Sequence, residues 1–143
     1  LAPAGFEEVG DYSAVVNQPV TAQEVRAAYR ALLACPTGSI GTELSDTLSL
    51  NAAKADFPLL VEDEVYYSGY NSEKSFGANS FFVRHPDGNW LIDSPRYLKP
   101  LVEAFDRMGG IAYIFLTHED DVADARSLCR LVSGGCLRRS GLR

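Results

Sequence analysis

The chain has 143 residues, 46% of them hydrophobic and 22% charged, and it suits one compact domain or two small modules. Thirteen basic and 19 acidic residues give a net charge of −6, and residues 126–143 hold five of the arginines and no acid. Residues 1–125 therefore hold 8 basic and 19 acidic residues. A segment this acidic is expected to repel nucleic acid and to favour a basic partner. No apolar run approaches the roughly 20 residues of a membrane-spanning helix, so the sequence predicts no membrane span.

The first predicted elements are a short strand and a helix. The stretch DYSAVVNQP, residues 11–19, alternates weakly and ends at a proline, which favours a short or edge strand. Thr21 and Glu24 form the T-x-x-E pattern of a capping box before apolar residues at helical spacing. The predicted helix runs to about Ala34, because Pro36 disfavours helical geometry in the residue before it. Buried side chains are expected at Val25, Tyr29, Leu32 and Leu33, with Arg26 and Arg30 facing water.

The pattern changes to β-rich in the second half of the chain. Residues 79–95 contain two β-rich runs around HPDGN, where Pro86 fixes φ and Gly88 tolerates a positive φ, and they predict a hairpin. A helix with Pro100 in its first turn follows, then a buried strand at about 112–116, then a short helix. This order predicts a layered α/β domain.

Cys35 closes the predicted helix at the start of the segment CPTGSIG. The segment resembles the part of bacterial-type [4Fe–4S] ferredoxins that supplies the last cluster thiolate, which implies that Cys35 binds a cofactor. Because a cluster needs about four cysteines and no CxxCxxC run is present, we expect no cluster in this chain by itself. The alternative is a lone buried cysteine that acts as a small hydrophobic residue. With Cys129 and Cys136 the cysteines number three, which argues against a disulfide framework.

A second pattern is the sequence IFLTHEDDVADA, in which an apolar strand stops at His118 and four acidic residues follow within seven positions. Together with LIDSP in the hairpin, it resembles the metallo-β-lactamase fold, whose usual signature at this strand tip is T-H-x-H-x-D-H. The alternative is an acidic helix start, where carboxylates cap exposed amides and interact favourably with the helix dipole. Neither nucleotide-binding glycine motifs nor a serine nucleophile pattern is present.

The two segments together resemble the ferredoxin–metallo-β-lactamase fusion family of photosynthetic organisms, whose motif is similar to LTHRDDVADH. The resemblance implies a [4Fe–4S] cluster, zinc or a similar divalent metal, and a location in the chloroplast stroma or another soluble intracellular compartment. It matches His118 with the first metal-ligand histidine, Asp120 with the position of the second, and Asp124 with the motif aspartate. Ala125 replaces the final histidine, so we expect no complete metal site and no catalytic residue. Asp93 matches an aspartate that supports a strand end.

The predicted fold is α/β, a partial metallo-β-lactamase-like layered fold preceded by a partial ferredoxin-like α+β segment. The ferredoxin-like segment covers residues 1–42, a linker covers 43–70, and the N-terminal half of the metallo-β-lactamase-like domain covers 71–143, with a flexible basic tail from 133 onward. A half-fold leaves one apolar sheet face for a partner, so the sequence predicts a non-catalytic structural or interaction subunit of a hetero-complex. The alternatives are a metal-dependent hydrolase of this fold, and an iron–sulfur electron carrier that uses Cys35 with cysteines outside this chain.

Overall fold

The computed structural model describes residues 1–118, 122–132 and 135–138, the last four for their backbone only. The chain divides into two compact units, residues 1–56 and residues 57–143. Helices and strands occur in both units, and the α/β class predicted from the sequence is confirmed. Within the described ranges, no helix has both the length and the apolar character needed to cross a membrane.

The first unit combines a β-hairpin with two helices. Strands β1 (Phe6–Val9) and β2 (Tyr12–Val15) pair in antiparallel register. Helices α1 (Ala22–Ala34) and α2 (Thr47–Ala55) follow. The sequence predicted β2 and α1 but missed β1 and α2. Both missed elements are short, and their apolar residues show no clear strand or helix period.

Helix α1 begins with the predicted capping box. Thr21 Oγ1 accepts a hydrogen bond from the Glu24 N–H at 3.2 Å, and Glu24 Oε2 accepts one from the Thr21 N–H at 2.8 Å. These bonds satisfy amide groups that have no partner inside the helix. Tyr29 is buried as predicted, whereas the other three predicted apolar positions, Val25, Leu32 and Leu33, are half-buried.

Polar contacts join the two helices of this unit. The Nε atoms of Arg26 and Arg30 lie 2.8 and 2.6 Å from Asp56 Oδ2, just after the end of α2. The hydrogen bond from Arg26 is the largest cause that lowers the pKa of Asp56, and Arg30 adds to it against the opposing effect of burial. Arg26 is exposed as predicted, but Arg30 is half-buried. Tyr29 Oη also accepts a hydrogen bond from the Asp46 N–H at 2.9 Å, at the start of α2.

Residues 43–70, which the sequence predicted as a linker, hold α2 and two strands, β3 (Leu59–Glu62) and β4 (Val65–Tyr67). The polar residues that indicated a linker include Asp46, which caps the start of α2. Asp46 Oδ1 accepts hydrogen bonds from the amides of Leu48 and Ser49, each at 3.1 Å, and so caps α2.

In the described part of the second unit, six strands form one sheet in the order β3-β4-β5-β6-β7-β8. The pairs β3–β4, β4–β5 and β5–β6 are antiparallel, and the pairs β6–β7 and β7–β8 are parallel. Helices α3 and α4 lie in the two crossovers that parallel pairing requires. The bounds are Phe81–Val83 for β5, Trp90–Ile92 for β6, Lys99–Arg107 for α3, Tyr113–Leu116 for β7, Ala125–Cys129 for α4 and Gly135–Arg138 for β8.

The predicted hairpin of residues 79–95 is confirmed by the antiparallel pairing of β5 with β6. Its turn depends on Gly88, which has a φ of +119°. A Cβ atom at this position would lie 2.7 Å from the Cβ of Ala112, so both the backbone angle and the space require glycine. The predicted helix with Pro100 in its first turn is confirmed as α3.

Two expectations for the end of the chain are corrected. The tail from residue 133 was predicted to be flexible, yet residues 135–138 form β8 beside β7; the rest of the tail lies outside the described residues. With only a cysteine and a leucine as apolar residues, β8 offers no strand pattern in the sequence. Cys129 is disulfide-bonded, contrary to the expectation drawn from the odd cysteine count.

The core of the second unit lies between α3 and one face of the sheet. Phe82, Leu91 and Ile114 lie side by side on β5, β6 and β7 and are fully buried. Phe105 of α3 stacks on Phe82 with ring centroids 4.8 Å apart. On the opposite face, the neighbouring row of Val83, Trp90 and Tyr113 is only half-buried.

Candidate functional site

The first candidate site is the loop that follows α1. The Cys35 N–H donates to the carbonyl oxygens of Ala31 and Leu32 at 3.0 and 3.3 Å. Cys35 therefore ends α1, as the proline that follows it in the sequence predicted. The Cys35 side chain is half-buried, and its Sγ lies 3.5 Å from Thr37 Oγ1. Cys35 is a free cysteine.

The loop lowers the pKa of the Cys35 thiol to about 7. Burial is the largest influence and raises the pKa, but the hydrogen bonds together outweigh it. They come from the Thr37 side chain and from the backbone of Ser39, Ile40 and Thr37. Donors that point at a sulfur stabilise its thiolate form. The loop therefore surrounds one sulfur with the type of donor that iron–sulfur sites use to stabilise their ligands and set their potentials.

We expect the alkylation rate of Cys35 by iodoacetamide to rise about tenfold per pH unit below pH 7 and to level off above it, because the thiolate is the nucleophile. Thr37→Val, which removes the hydroxyl donor, should move the midpoint to higher pH, and Thr37→Ser should leave it nearly unchanged. Mass spectrometry of the peptide that contains Cys35 gives the rate. A midpoint near that of free cysteine, about 8.5, would contradict this account of the loop.

The second candidate site is at the carboxyl ends of β6 and β7. Asp93 follows β6 in the left-handed region, with a φ of +57°, and only 8% of it is exposed. Its Oδ1 accepts a hydrogen bond from the Thr117 N–H at 2.8 Å, and Thr117 Oγ1 lies 3.1 and 2.9 Å from its two oxygens. The Asp93 N–H donates to the Phe115 carbonyl oxygen at 2.8 Å. Asp93 thus joins two strand ends, which agrees with the supporting role inferred from the sequence.

His118 lies at the tip of β7, where the sequence predicted it. Its Nδ1 is 3.0 Å from Thr117 Oγ1, so its ring is connected through Thr117 to Asp93. The other histidine of the chain, His85, lies in the β5–β6 turn, where its Nδ1 accepts a hydrogen bond from the Asp87 N–H at 3.2 Å.

Asp124, predicted as a metal ligand, binds two other segments of the unit. Its Oδ2 accepts a hydrogen bond from the Tyr97 N–H at 2.9 Å, and its Oδ1 lies 3.0 Å from Lys74 Nζ. The hydrogen bond from Tyr97 is the largest cause that lowers the pKa of Asp124, and Lys74 adds to it against burial. The side chain makes no cap for α4. A bound ammonium group at this carboxylate disfavours a second cation there.

The structure does not assemble the predicted metal ligands into a site among the residues it describes. Within those ranges, no three His, Cys, Asp or Glu side chains are grouped so that they could hold an ion. Asp120 lies outside the described residues. Ala125 is buried and offers no ligand atom.

Sequence reasoning missed the partners of these carboxylates. Thr117 could have been found from its place between the apolar strand and His118. Lys74 lies 50 residues from Asp124 and Tyr97 lies 27 residues from it, and no local pattern links them.

Comparison with known proteins gives separate results for the two parts of the chain. Residues 1–42 match the family described as the 4Fe-4S single cluster domain of Ferredoxin I. No curated protein sequence matches the chain. Solved structures of metallo-β-lactamases are similar in fold.

Three of these structures show the range of the similarity. MEM-A1, a subclass B3 enzyme from a soil metagenome library, has 20% identity and a TM-score of 0.42 over 56% of this chain and 31% of its own. BJP-1 of Bradyrhizobium japonicum has 15% identity and a TM-score of 0.41 over 55% and 31%. An enzyme of Cronobacter sakazakii has 21% identity and a TM-score of 0.41 over 72% and 39%. The chain spans about a third of the length of the structures it matches.

Proposed function

We propose that residues 1–42 form a ferredoxin-type segment in which Cys35 is one thiolate ligand of a [4Fe–4S] cluster, and that the protein carries electrons through it. The observation that carries this proposal is the set of hydrogen-bond donors around the Cys35 sulfur. The family match to the same residues supports it independently.

Cys35 fits one position of such a cluster, and the chain does not supply the rest. The two other cysteines of the sequence belong to the second unit, and Cys129 is disulfide-bonded. We therefore propose that the remaining thiolates come from outside these 143 residues. When bound, a [4Fe–4S] cluster supplies one-electron chemistry. The contribution of this chain is to hold the Cys35 sulfur at the end of α1 and to donate hydrogen bonds to it, which tunes the reduction potential of such a site.

A ligand-exchange experiment tests this function on the chain as it exists. Under anaerobic conditions the chain is mixed with a synthetic [4Fe–4S] cluster that is capped by four small thiolates. Cys35 is expected to form one iron–sulfur bond as one capping thiolate leaves with the cysteine proton, and no oxidation state changes. After gel filtration, the chain should retain about four iron atoms and the visible absorption of the cluster.

Cys35→Ser is the control, because serine keeps the size of the side chain but removes the soft thiolate. It should retain almost no iron. Thr37→Val should retain the cluster less well than the unsubstituted chain, because one donor to the sulfur is lost. Equal iron retention by the unsubstituted chain and Cys35→Ser would overturn the proposal.

We also propose that residues 57–143 act as a non-catalytic structural or interaction unit of a hetero-complex. The observation that favours this proposal is that both carboxylate oxygens of Asp124 already have partners within the unit, the Tyr97 N–H and Lys74 Nζ. The half-buried apolar face that contains Trp90 and Tyr113 supports a protein partner. Stoichiometric zinc in the purified protein would support the hydrolase alternative instead.

The family origin and the cellular location of the chain are also proposals. We propose that it derives from the ferredoxin–metallo-β-lactamase fusion family of photosynthetic organisms and works in the chloroplast stroma. The support is the order of the two segments, with the cluster-type loop before β7, the strand that ends two residues before His118. Immunogold labelling of leaf or algal sections is the direct test of location.

A further inference from the structure

A cleft of about 530 Å³ opens at the amino ends of β6 and β7, the end of the sheet opposite Asp93 and His118. The turn between β5 and β6, the turn between β3 and β4 and the residues after α3 surround it. Sites for small molecules commonly measure about 300–1,000 Å³ and combine apolar walls with a few polar groups. This cleft has both features, and it shares no residue with the site at the other end of the sheet.

A buried asparagine fixes the shape of the cleft. Asn89 is 8% exposed, and its Nδ2 donates hydrogen bonds to the carbonyl oxygens of Met108 and Gly110 at 3.1 and 2.9 Å. Its Oδ1 accepts a hydrogen bond from the His85 N–H at 3.1 Å. One side chain thus ties the β5–β6 turn to the end of α3, so the walls are in place before a ligand enters. A preformed site loses less conformational entropy on binding than a mobile one.

His85 lines the cleft and has a defined donor. Its Nδ1 accepts a hydrogen bond from the Asp87 N–H at 3.2 Å. A backbone N–H can only donate and a neutral imidazole has one N–H, so the neutral ring carries its proton on Nε2. The Asp87 carboxylate lies 3.8 Å from Nδ1, but its side chain is 90% exposed, and water and salt screen its charge. His85 therefore offers its Nε2–H to an acceptor in the cleft.

Arg84 supplies a positive charge at the same cleft. Its Nη1 lies 3.2 Å from Glu64 Oε2, and the two side chains are 47% and 57% exposed. An ion pair this exposed contributes little stability, so a ligand can compete with Glu64 for the guanidinium. The guanidinium has five N–H donors in a planar fork, and a carboxylate accepts two of them at once. Arg84 and His85 together therefore present several donors to a carboxylate.

We propose that this cleft binds a small organic acid that has one carboxylate and an apolar body. The carboxylate accepts hydrogen bonds from Arg84 and from His85 Nε2–H, and the apolar body lies against Pro86 and Met108. Glu64 leaves the cleft with little net positive charge, so the cleft favours a single carboxylate over a phosphate or a dianion. The proposal is independent of the cluster and of a protein partner.

A titration of the full chain with benzoate tests the proposal, and benzamide, which has a similar shape without the charge, is the control ligand. Benzoate is expected to shift the ¹H–¹⁵N signals of Gly88, Asn89 and Gly109 in a saturable way, with a Kd in the millimolar range. Benzamide should bind at least about tenfold more weakly, because it has no charge for Arg84. The proposal is overturned by no saturation at about 20 mM benzoate, by shifts confined to residues outside the cleft, or by equal affinities for the two ligands.

Two substitutions separate the role of Arg84 from that of the overall charge. Arg84→Gln keeps a polar side chain but removes the cation, and it should weaken benzoate binding by about tenfold or more. Arg126→Gln removes the same charge from an exposed position of α4 outside the cleft, and it should change the affinity by less than about twofold. Equal affinities of the two variants would contradict the proposal. Should Arg84→Gln fail to fold, the comparison of benzoate with benzamide on the unsubstituted chain still decides.

Discussion

Replacing Phe105 with alanine is expected to lower the free energy of unfolding of the second unit by about 3–5 kcal/mol. Phe105 has no exposed surface and stacks on Phe82 of the sheet, with ring centroids 4.8 Å apart. Alanine would remove this contact and leave a cavity between α3 and β5 that the surrounding elements cannot fill completely. Urea unfolding followed by circular dichroism measures the loss.

Phe76 gives a matched control for this substitution. It is 86% exposed, so Phe76→Ala removes the same atoms without opening a cavity. We expect its free energy of unfolding to stay within about 0.5 kcal/mol of the unsubstituted chain. Equal losses for Phe105→Ala and Phe76→Ala would contradict the assignment of the core to the face that α3 covers.

The second large effect is expected at Asp93. Asp93→Ala should lower the free energy of unfolding by about 2–4 kcal/mol, because it leaves the N–H and the hydroxyl of Thr117 without their acceptor. Alanine also fits poorly at a φ of +57°. Thermal or urea unfolding of the full chain gives the difference.

Asp93→Asn is the control for this position. Asparagine tolerates the left-handed conformation and keeps one side-chain oxygen that can accept from Thr117. Its loss of stability should be clearly smaller than that of Asp93→Ala. A loss below about 0.5 kcal/mol for Asp93→Ala, the size of an ordinary surface substitution, would show that Asp93 does not join the ends of β6 and β7.

Elements with a strong local pattern were predictable from the sequence. The capping box of Thr21 and Glu24 and the apolar spacing after it set the limits of α1. The turn around Gly88 defined the β5–β6 hairpin, because that backbone angle and the nearby Ala112 leave little choice of residue. His118 could be placed at a strand tip, because the apolar run of β7 ends just before it.

Tertiary contacts were not predictable in this way. Strand β8 exists because β7 offers a parallel edge, and its own four residues carry little pattern. The bond between Asp124 and Lys74 joins residues 50 apart, so no local motif in the sequence indicates it. The hydrogen bonds from Thr117 to Asp93 likewise join residues that are 24 apart. Contacts between residues so far apart in the chain leave no local pattern in the sequence.

Iron and sulfide analysis of the protein in its natural assembly, isolated under anaerobic conditions, tests the central claim most directly. With Cys35 as a ligand, the assembly should contain about four iron atoms and four sulfides for each copy of this chain. The same assembly made with Cys35→Ser should lose them. An assembly free of iron, or one whose iron and sulfide are unchanged by Cys35→Ser, would contradict the claim that this chain holds a [4Fe–4S] cluster.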